Sequence, residues 1–511
     1  MRKLLKFLTG RLFLSFVFIL LQIIVLINIF GFAEHYALWI QLFSAFSIMM
    51  ALFVSVRDHL NPAYKIGWML IFMLLPIYGG LLYIFLGTRK LGPKLKRQLT
   101  AFNEFHDKGM ENISLSAALP TQALEGYDAT LFRQERYITG ITGFPVWSNT
   151  EVEYFADGED WLLDVLKEIK AAKSFIFLEF FIIAQGEVFS ALVSELVAKV
   201  QQGVLVRLMF DDVGSISTIP AHHERYLRSL GLEVIAFNPL RAHINNRLNS
   251  RDHRKVVVID GNIGYTGGLN FADEYANRQI RFGHWKDTGV KLKGDAVWNL
   301  TLMFLQLWSF SSKKPVDFAP FKPTIQYKTD GFVQPFGDNP LDNHNVAENS
   351  YIQIISMAKK YVWITTPYLV LDNEMITVLK LAAQSGVDVR IITPKMPDKW
   401  YVFLVTQANY YSLIDGGVKI FEYTPGFIHA KMCISDDKVA IIGTINMDYR
   451  SFFLHFENAV LFYGSSVVTS VYTDIVKIMD VSQRITLDFL EARPWYKRLL
   501  GTFLRLAAPL L

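Results

Sequence analysis

Three long apolar runs open the chain and give way to shorter alternating patterns further on. The runs cover residues 12–32, 37–56 and 67–86. Each is close to the roughly 20 apolar residues that a helix needs to cross the hydrocarbon core of a bilayer. They predict transmembrane helices within an N-terminal membrane anchor over residues 1–100. Because Pro76, Gly79 and Gly80 interrupt the third run, that segment either spans the membrane or bends and re-enters it.

Basic residues on both sides of these runs leave the orientation open. One cluster precedes the first run and another follows the third: Arg2, Lys3, Lys6 and Arg11, then Arg89, Lys90, Lys94, Lys96 and Arg97. Loops on the cytoplasmic side of a membrane carry an excess of Lys and Arg. Three full crossings would place the clusters on opposite sides. The sequence therefore does not decide which membrane face carries the rest of the chain.

The hydrophobic pattern changes near Val152 to short β-rich runs that alternate with helical stretches. Strand-like runs begin at Phe175, Gly203 and Leu232, and again at Tyr361, Gly386 and Gly417. Helical runs over 160–172 and 373–384 connect them. Such alternation is typical of α/β layers. It predicts two homologous α/β lobes packed face to face, the first over 131–315 and the second over 331–490.

Three further segments flank these lobes. Residues 101–130 and 316–330 are predicted linkers, and residues 491–511 form a predicted amphipathic C-terminal tail. The tail places Trp495 and Tyr496 beside basic residues. This pattern predicts a helix that lies on a membrane interface or packs against the lobes.

Composition narrows the class of partner. Hydrophobic residues make up 51% of the chain and the net charge is only +4. A nucleic-acid binder would show a strongly basic, clustered face, so we expect membrane lipids and no nucleic acid as partners. Cys433 is the single cysteine, which excludes an intramolecular disulfide and a cysteine-based zinc site.

One polar pattern occurs twice with every interval unchanged. His253-x-Lys255-x4-Asp260-x6-Gly267-Gly268-x-Asn270 returns as His429-x-Lys431-x4-Asp436-x6-Gly443-Thr444-x-Asn446. Each copy supplies one imidazole, one ammonium and one carboxamide. A reaction at phosphorus through a covalent intermediate needs two imidazoles, one as nucleophile and one as acid and base. The repeat therefore predicts one site built from both copies.

The intervals separate the roles within each copy. His253 and Lys255 are predicted to share one face of a strand, because side chains alternate along a strand. The Asp of each copy falls at the far turn, so we expect Asp260 and Asp436 to be structural. The positions that follow are also expected to be structural, with glycine allowing close approach of a ligand or a backbone: Gly267, Gly268, Gly443 and Thr444.

A further predicted strand beyond each copy begins with an acid, Asp287 or Glu457. A carboxylate that accepts a hydrogen bond from an imidazole orients the ring and stabilises its charged form. We therefore expect Asp287 and Glu457 to orient the two histidines.

The predicted chemistry requires no metal, nucleotide or thiol, so we expect no cofactor. Zinc is disfavoured because Lys is a poor ligand and no third ligand recurs with the two histidines. Six histidines beyond residue 200 have no repeated partner and are interpreted as structural: His222, His223, His243, His284, His344 and His455.

At these motifs the chain resembles the phospholipase D superfamily and, more closely, its bacterial cardiolipin synthases. Further strings carry the narrower resemblance, namely Trp68 to Gly87, Thr366 to Tyr368, Pro425 to Lys431, Asn446 to Phe452 and Leu506 to Leu511. The resemblance implies a two-lobed α/β/α sandwich with the site between the lobes. Gly268 and Thr444 depart from the family, which often has Ser at these positions. The first apolar run is also additional to the expected two-segment anchor.

The same resemblance implies the reaction. A phosphatidyl group would pass from one phosphatidylglycerol to another at a bacterial cell membrane, giving cardiolipin and glycerol. The symmetric motifs do not fix which histidine attacks; the resemblance implies His253 as nucleophile and His429 as acid and base. Lys255, Lys431, Asn270 and Asn446 would bind the phosphate.

Two alternative functions are compatible with all or some of these residues. A hydrolytic phospholipase D or membrane-bound nuclease would transfer the group to water, and an inactive scaffold would only bind lipid. The completeness of both motifs disfavours the scaffold. Acyl preference, head-group preference and oligomeric state are left open.

Overall fold

The computed structural model describes residues 38–39, 41–56, 61–75, 78–84, 114–239, 250–342 and 344–506. The chain divides into two units. One contains Met1–Leu91, Leu240–Asn249 and Leu506–Leu511, and the other contains Gly92–Pro239 and Ser250–Arg505. The first apolar run, residues 12–32, lies outside the described residues.

The described part of the N-terminal unit is helical. Residues 41–55 form a helix, followed by α1 (Pro62–Leu74) and α2 (Gly79–Leu82). The third apolar run is thus divided between two helices, consistent with Pro76, which disfavours helical backbone in the residue before it. Trp68 packs edge-on against Tyr83 with ring centroids 5.0 Å apart. Within the described residues, no helix combines the length and apolar character needed to cross a membrane.

The second unit holds two large sheets, which define a first lobe over residues 150–312 and a second lobe over 332–491. The first lobe contains β1 (Thr150–Phe155), β2 (Phe175–Phe180), β3 (Leu205–Asp211), β4 (Glu233–Phe237), β5 (Arg251–Asp252), β6 (Val256–Ile259), β7 (Ile263–Gly267), β8 (His284–Lys286) and β9 (Gly289–Gly294). Seven of these strands form a sheet in the order β1-β9-β7-β6-β2-β3-β4. Within it, β2, β3 and β4 run parallel, whereas β2 and β6 are antiparallel.

The helices before and within the first lobe are α3 (Ser114–Tyr127), α4 (Ala129–Thr142), α5 (Gly158–Ala171), α6 (Glu187–Gln201), α7 (Asp212–Ser215), α8 (His223–Ser229) and α9 (Val297–Ser312). Alternation along β2 explains its complete burial. Ile176 and Leu178 join a core with side chains of α5 and α6, whereas Phe177 stacks on Phe304 of α9 at 4.6 Å. Helices therefore cover both faces, as expected for an α/β/α sandwich.

The second lobe repeats this topology. Its strands are β10 (Phe332–Asp338), β11 (Tyr361–Thr365), β12 (Leu369–Val370), β13 (Asp388–Pro394), β14 (Lys419–Tyr423), β15 (Gly426–Ile428), β16 (Met432–Ser435), β17 (Val439–Gly443), β18 (Met447–Asp448), β19 (His455–Tyr463) and β20 (Ser482–Ile485). The sheet order is β10-β19-β17-β16-β11-β13-β14-β20. Its first seven positions correspond one by one to the first sheet, so the two lobes share one strand order, and the predicted α/β class is confirmed.

The helices of this part are α10 (Val346–Met357), α11 (Asn373–Gln384), α12 (Trp400–Asp415), α13 (Tyr449–Phe453), α14 (Ser466–Asp480), α15 (Leu487–Glu491) and α16 (Trp495–Leu506). α14 follows β19 as α9 follows β9, and each of the two packs against the first strand of the other lobe's sheet. One contact of this kind joins the Tyr154 hydroxyl to Asp474 at 2.6 Å.

The lobes also exchange short strands. β5 of the first lobe pairs in parallel with β19 of the second, and β15 of the second lobe pairs in parallel with β8 of the first. The two exchanges are equivalent under the internal repeat. These two strand pairs fix the position of one lobe against the other. They also bring the start of each motif into contact with the opposite lobe.

Two segments differ from the domain prediction. The predicted linker 101–130 contains α3, and α4 at the start of the predicted first lobe bonds instead to the second. In one such bond the Gln134 side chain donates to the Ser350 carbonyl at 3.1 Å. In the predicted linker 316–330, Phe321 packs on Phe177 at 4.9 Å, because the outer face of β2 needs an apolar cover.

Candidate active site

Each motif histidine lies where the chain crosses from one lobe to the other. β5 ends at Asp252 and β6 begins at Val256, so His253 and Lys255 lie in the connection and not within a strand as predicted. The His253 backbone N–H donates to Phe456 O at 2.9 Å, and the His429 N–H donates to Lys286 O at 2.7 Å. The departure from the prediction follows from the strand exchange, since the crossing backbone must leave one sheet before it joins the other.

The predicted orienting acids contact the histidines across the lobes. Nδ1 of His253 lies 2.9 Å from both carboxylate oxygens of Glu457. Nδ1 of His429 lies 2.6 Å from Oδ2 of Asp287. Glu457 directly follows Phe456, whose carbonyl accepts from the backbone N–H of His253. Asp287 likewise follows Lys286, whose carbonyl accepts from the backbone N–H of His429. With Nδ1 occupied in this way, Nε2 is the nitrogen available for chemistry.

Charge and burial fix the protonation state of these pairs. Burial alone would raise the pKa of Glu457 and of Asp287, but the adjacent imidazole outweighs it and holds each pKa below its usual value. Burial lowers the pKa of His253 to about 3 and that of His429 to about 4. Both acids are therefore ionised and both imidazoles neutral at rest, with the Nδ1 proton donated to the acid.

The two lysines are buried cations tied to the same backbone. Lys255 Nζ donates to the carbonyl of His253 at 2.6 Å, and Lys431 Nζ donates to the carbonyl of His429. Burial lowers the pKa of Lys255 to about 8 and that of Lys431 to about 7. Their charge is thus poorly hydrated, which favours binding of an anion.

The two motif asparagines are not equivalent. The Asn270 side chain accepts from the Ile182 N–H at 3.0 Å and donates to the Tyr275 hydroxyl at 2.7 Å. The Tyr275 ring in turn lies 5.5 Å from that of His429. Oδ1 of Asn446 is buried and has no hydrogen-bond partner within the described residues.

The motif aspartates hold backbone at the opposite ends of the strands. Asp260 accepts from the N–H groups of Lys173, Ser174 and Phe175 at 2.7 to 3.0 Å. Asp436 accepts from the N–H groups of Lys359, Lys360 and Tyr361, at the start of β11, at 2.6 to 2.9 Å. Neither contacts a motif histidine in the hydrogen bonds of the described residues.

Glycine is required beside Asp287 by close approach. A Cβ on Gly268 would lie 2.0 Å from Oδ1 of Asp287. Thr444 at the matching position donates its hydroxyl to Glu457. A Cβ on Gly267 or Gly443 would lie 2.4 or 2.3 Å from a carbonyl oxygen of the neighbouring strand.

Sequence reasoning missed the aromatic neighbours of the histidines. The ring of His455, interpreted from the sequence as structural, lies 5.6 Å from that of His253. Trp285 lies 5.3 Å from His429 in the matching place. Both residues precede an orienting acid by two positions, and this common offset was the available signal.

One motif histidine belongs to a group of three potential metal ligands, and this group does not recur around His429 within the described residues. Ligand atoms of His253, His455 and Glu457 all lie within 4.8 Å of one another. The repeat conceals this group, because His455 has no histidine counterpart in the first lobe.

Comparison with known proteins places the chain in a family. The model described as "Cardiolipin synthase, PLD-like domain" matches residues 165–280 and 351–479, and "Phospholipase_D-nuclease N-terminal" matches residues 42–87. A cardiolipin synthase of Geobacillus kaustophilus is 34% identical over 96% of this chain and 97% of that relative. The chain belongs to the cardiolipin synthase family. The resemblance seen in the sequence is thereby confirmed.

Other relatives of this cardiolipin synthase family member span similar lengths. A cardiolipin synthase of Halalkalibacterium halodurans is 32% identical over 91% of this chain and 94% of the relative. A Streptococcus mutans protein described as uncharacterized is 39% identical over 89% of this chain and 98% of the relative.

A solved structure agrees with the fold. The phosphatidylserine synthase of Haemophilus influenzae superposes with a TM-score of 0.59 at 14% identity, covering 74% of this chain and 99% of that one. At this identity the likeness concerns the fold alone, and it confirms the phospholipase D-like α/β architecture.

Proposed function

We propose that this protein is a phosphatidyltransferase that converts two phosphatidylglycerol molecules into cardiolipin and glycerol without a cofactor. The observation that carries the proposal is the pair of buried histidines, each with Nδ1 bonded to a carboxylate of the opposite lobe. Family membership supports the choice of lipid substrate, since named relatives over nearly the whole chain are cardiolipin synthases.

The first half-reaction forms a phosphohistidine. Nε2 of His253 attacks the phosphorus of phosphatidylglycerol, and the bond to the glycerol head group breaks. The leaving oxygen takes a proton from His429, so glycerol departs neutral. The charge that develops on the His253 ring is stabilised by Glu457, whose two oxygens both face Nδ1.

The second half-reaction returns both histidines to their starting states. A head-group hydroxyl of another phosphatidylglycerol gives its proton to His429 and attacks the phosphorus. The bond from phosphorus to Nε2 of His253 breaks, and cardiolipin is released. One phosphodiester replaces another, so no activated donor is needed.

Substrate binding provides the protonation state that the first step requires. At rest His429 is neutral, because burial lowers its pKa. A bound phosphodiester brings a negative charge, which favours the imidazolium form of an adjacent ring. Lys255 and Lys431 neutralise the same phosphate, and the side-chain amide N–H of Asn446 donates to it.

We further propose that the protein works at a membrane as a multi-pass bacterial membrane protein. The apolar runs 12–32, 37–56 and 67–86 supply the anchor. α16 adds an interfacial surface, since Trp495 and Phe503 are 70% and 62% exposed on a helix that also carries Arg498 and Arg505. Exposed aromatic and basic side chains on one helix favour the interface of an anionic bilayer.

The test is purified protein in liposomes whose only phospholipid is phosphatidylglycerol, with products identified by mass. Cardiolipin and glycerol in equal amounts are expected. Phosphatidic acid as the main product would instead establish a hydrolase. If turnover were unchanged in both His253→Ala and His429→Ala, the protein would be better explained as an inactive lipid-binding scaffold.

A further inference from the structure

His455 is a buried imidazole that the reaction does not use. Its side chain lies in the core with 8% of the residue exposed. Neither ring nitrogen has a hydrogen-bond partner within the described residues. Burying polar nitrogens without partners is unfavourable, and buried polar groups without partners are uncommon in folded proteins. This imidazole therefore has free coordinating capacity.

The neighbours of His455 offer two further ligands. Its Nδ1 lies 3.6 Å from Oε1 of Glu457, and that oxygen lies 2.9 Å from Nδ1 of His253. Zinc binds imidazole nitrogen and carboxylate oxygen at about 2.0 to 2.2 Å, so tetrahedral ligands lie roughly 3.3 Å apart. These two separations bracket this value, and all three ligand atoms lie within 4.8 Å of one another. Two imidazoles with one carboxylate are a donor set that zinc accepts.

The other lobe lacks this arrangement. Trp285 occupies the position that matches His455, beside His429 and two residues before Asp287. An indole supplies no metal ligand. Among the described residues, the three-ligand group is therefore found around His253 and not around His429.

We propose that His253, His455 and Glu457 form an inhibitory site for Zn²⁺. Coordination uses the lone pair of Nδ1 of His253, whose proton moves to Nε2 of the same neutral ring. Nε2 then carries a hydrogen and has no lone pair with which to attack phosphorus. Lys255, whose Nζ donates to the carbonyl of His253, opposes the binding of a dication by charge repulsion. The binding does not depend on the proposed function, whereas the inhibition rests on it.

Cobalt is the spectroscopic probe for binding. The full-length protein in detergent, treated with chelator, is titrated with Co²⁺, whose visible absorption strengthens in a tetrahedral site. One Co²⁺ per chain, displaced by Zn²⁺, is expected. Loss of a ligand should weaken binding by more than the roughly 10- to 100-fold that disturbing an outer contact costs. His455→Phe should therefore lose the tetrahedral spectrum, and His455→Asn serves if the Phe variant does not fold.

His284→Phe is the matched control, because it removes another histidine near the lobe boundary. It should retain the cobalt spectrum of the unaltered protein. No tetrahedral spectrum in the unaltered protein, or equal loss in both variants, would overturn the site.

Zn²⁺ inhibition is measured on phosphatidylglycerol liposomes and expressed relative to each variant's activity without metal. The concentration for half inhibition should rise at least about 10-fold in the His455 variant. If the metal-free protein makes no cardiolipin but binds cobalt normally, the proposed function is refuted and the metal site is not. Normal synthesis without cobalt binding refutes the site alone.

Discussion

Glu457 binds the imidazole of His253 from the opposite lobe, with each carboxylate oxygen 2.9 Å from Nδ1. This contact holds the Nδ1 proton and leaves Nε2 with its lone pair. Glu457→Gln keeps the shape but removes the charge and permits the wrong tautomer. We expect kcat to fall by about 10³- to 10⁴-fold, the size of effect when a triad aspartate is neutralised.

A buried acid outside the site provides the control for that substitution. Glu422 accepts a hydrogen bond from Gln407 at 3.1 Å, and Glu422→Gln should leave kcat within a few-fold. Measurement on phosphatidylglycerol liposomes checks both variants. Equal loss in the two would mean that Glu457 acts through stability and not through His253.

The covalent intermediate should accumulate when its breakdown is slowed. His429→Gln removes the base that activates the second lipid hydroxyl, and it also slows formation by removing the acid. A substrate with a better leaving group than glycerol avoids the need for that acid. With such a substrate, a phosphatidyl adduct on His253 is expected by peptide mass analysis after rapid quenching.

The control for trapping is His223→Gln, in a histidine of α8 that belongs to no site pair. This variant should show turnover without accumulated adduct. An adduct on His429 in the His253→Gln variant, under the same conditions, would reverse the two roles.

The pH dependence should show an alkaline limb set by lysine. The pKa of Lys431 is lowered to about 7 and that of Lys255 to about 8. Both must be charged to bind phosphate, so kcat/KM should fall as pH rises through 7 to 8. The pKa of His253 is lowered to about 3, so the acid limb, where the nucleophile takes up a proton, lies well below pH 6.

Lys431→Arg tests this assignment, because guanidinium stays charged throughout the range. If the variant retains measurable turnover, its alkaline limb should move upward in pH even where its maximal rate is lower. An unchanged alkaline limb would assign that limb to another group.

Asp436 should affect stability and not chemistry. Asp436→Ala removes the acceptor for three backbone N–H groups at the start of β11. The free energy of unfolding should drop by about 1 to 3 kcal/mol, seen as a lower melting temperature. The kcat of the folded fraction should remain within a few-fold, and a loss comparable with that of Glu457→Gln would contradict this role.

Regular spacing made much of the molecule predictable. The unchanged intervals of the two motifs indicated a duplicated lobe, and the predicted far turn separated Asp260 and Asp436 from the histidines. Asp287 and Glu457 were found because each begins a predicted strand after its motif. Local pattern therefore sufficed wherever a periodic element carried the residue.

The exchange between lobes was not predictable in the same way. His253 and Glu457 are 204 positions apart, and His429 and Asp287 are 142 apart. β5 and β15 contain only 2 and 3 residues, too few for any periodicity to show. The assignment of α4 to the wrong lobe has a similar cause, since its long-range bonds decide its place.

The exchanged strands also have a consequence for how activity arises during folding. A newly made first lobe holds His253 without Glu457, and Asp287 without the histidine that it orients. Neither lobe by itself contains a motif histidine together with the acid that orients it. Activity therefore begins only when synthesis of the chain has passed β19 and the lobes have closed on each other, so an unfinished protein carries no functional nucleophile to which lipid or water could be exposed.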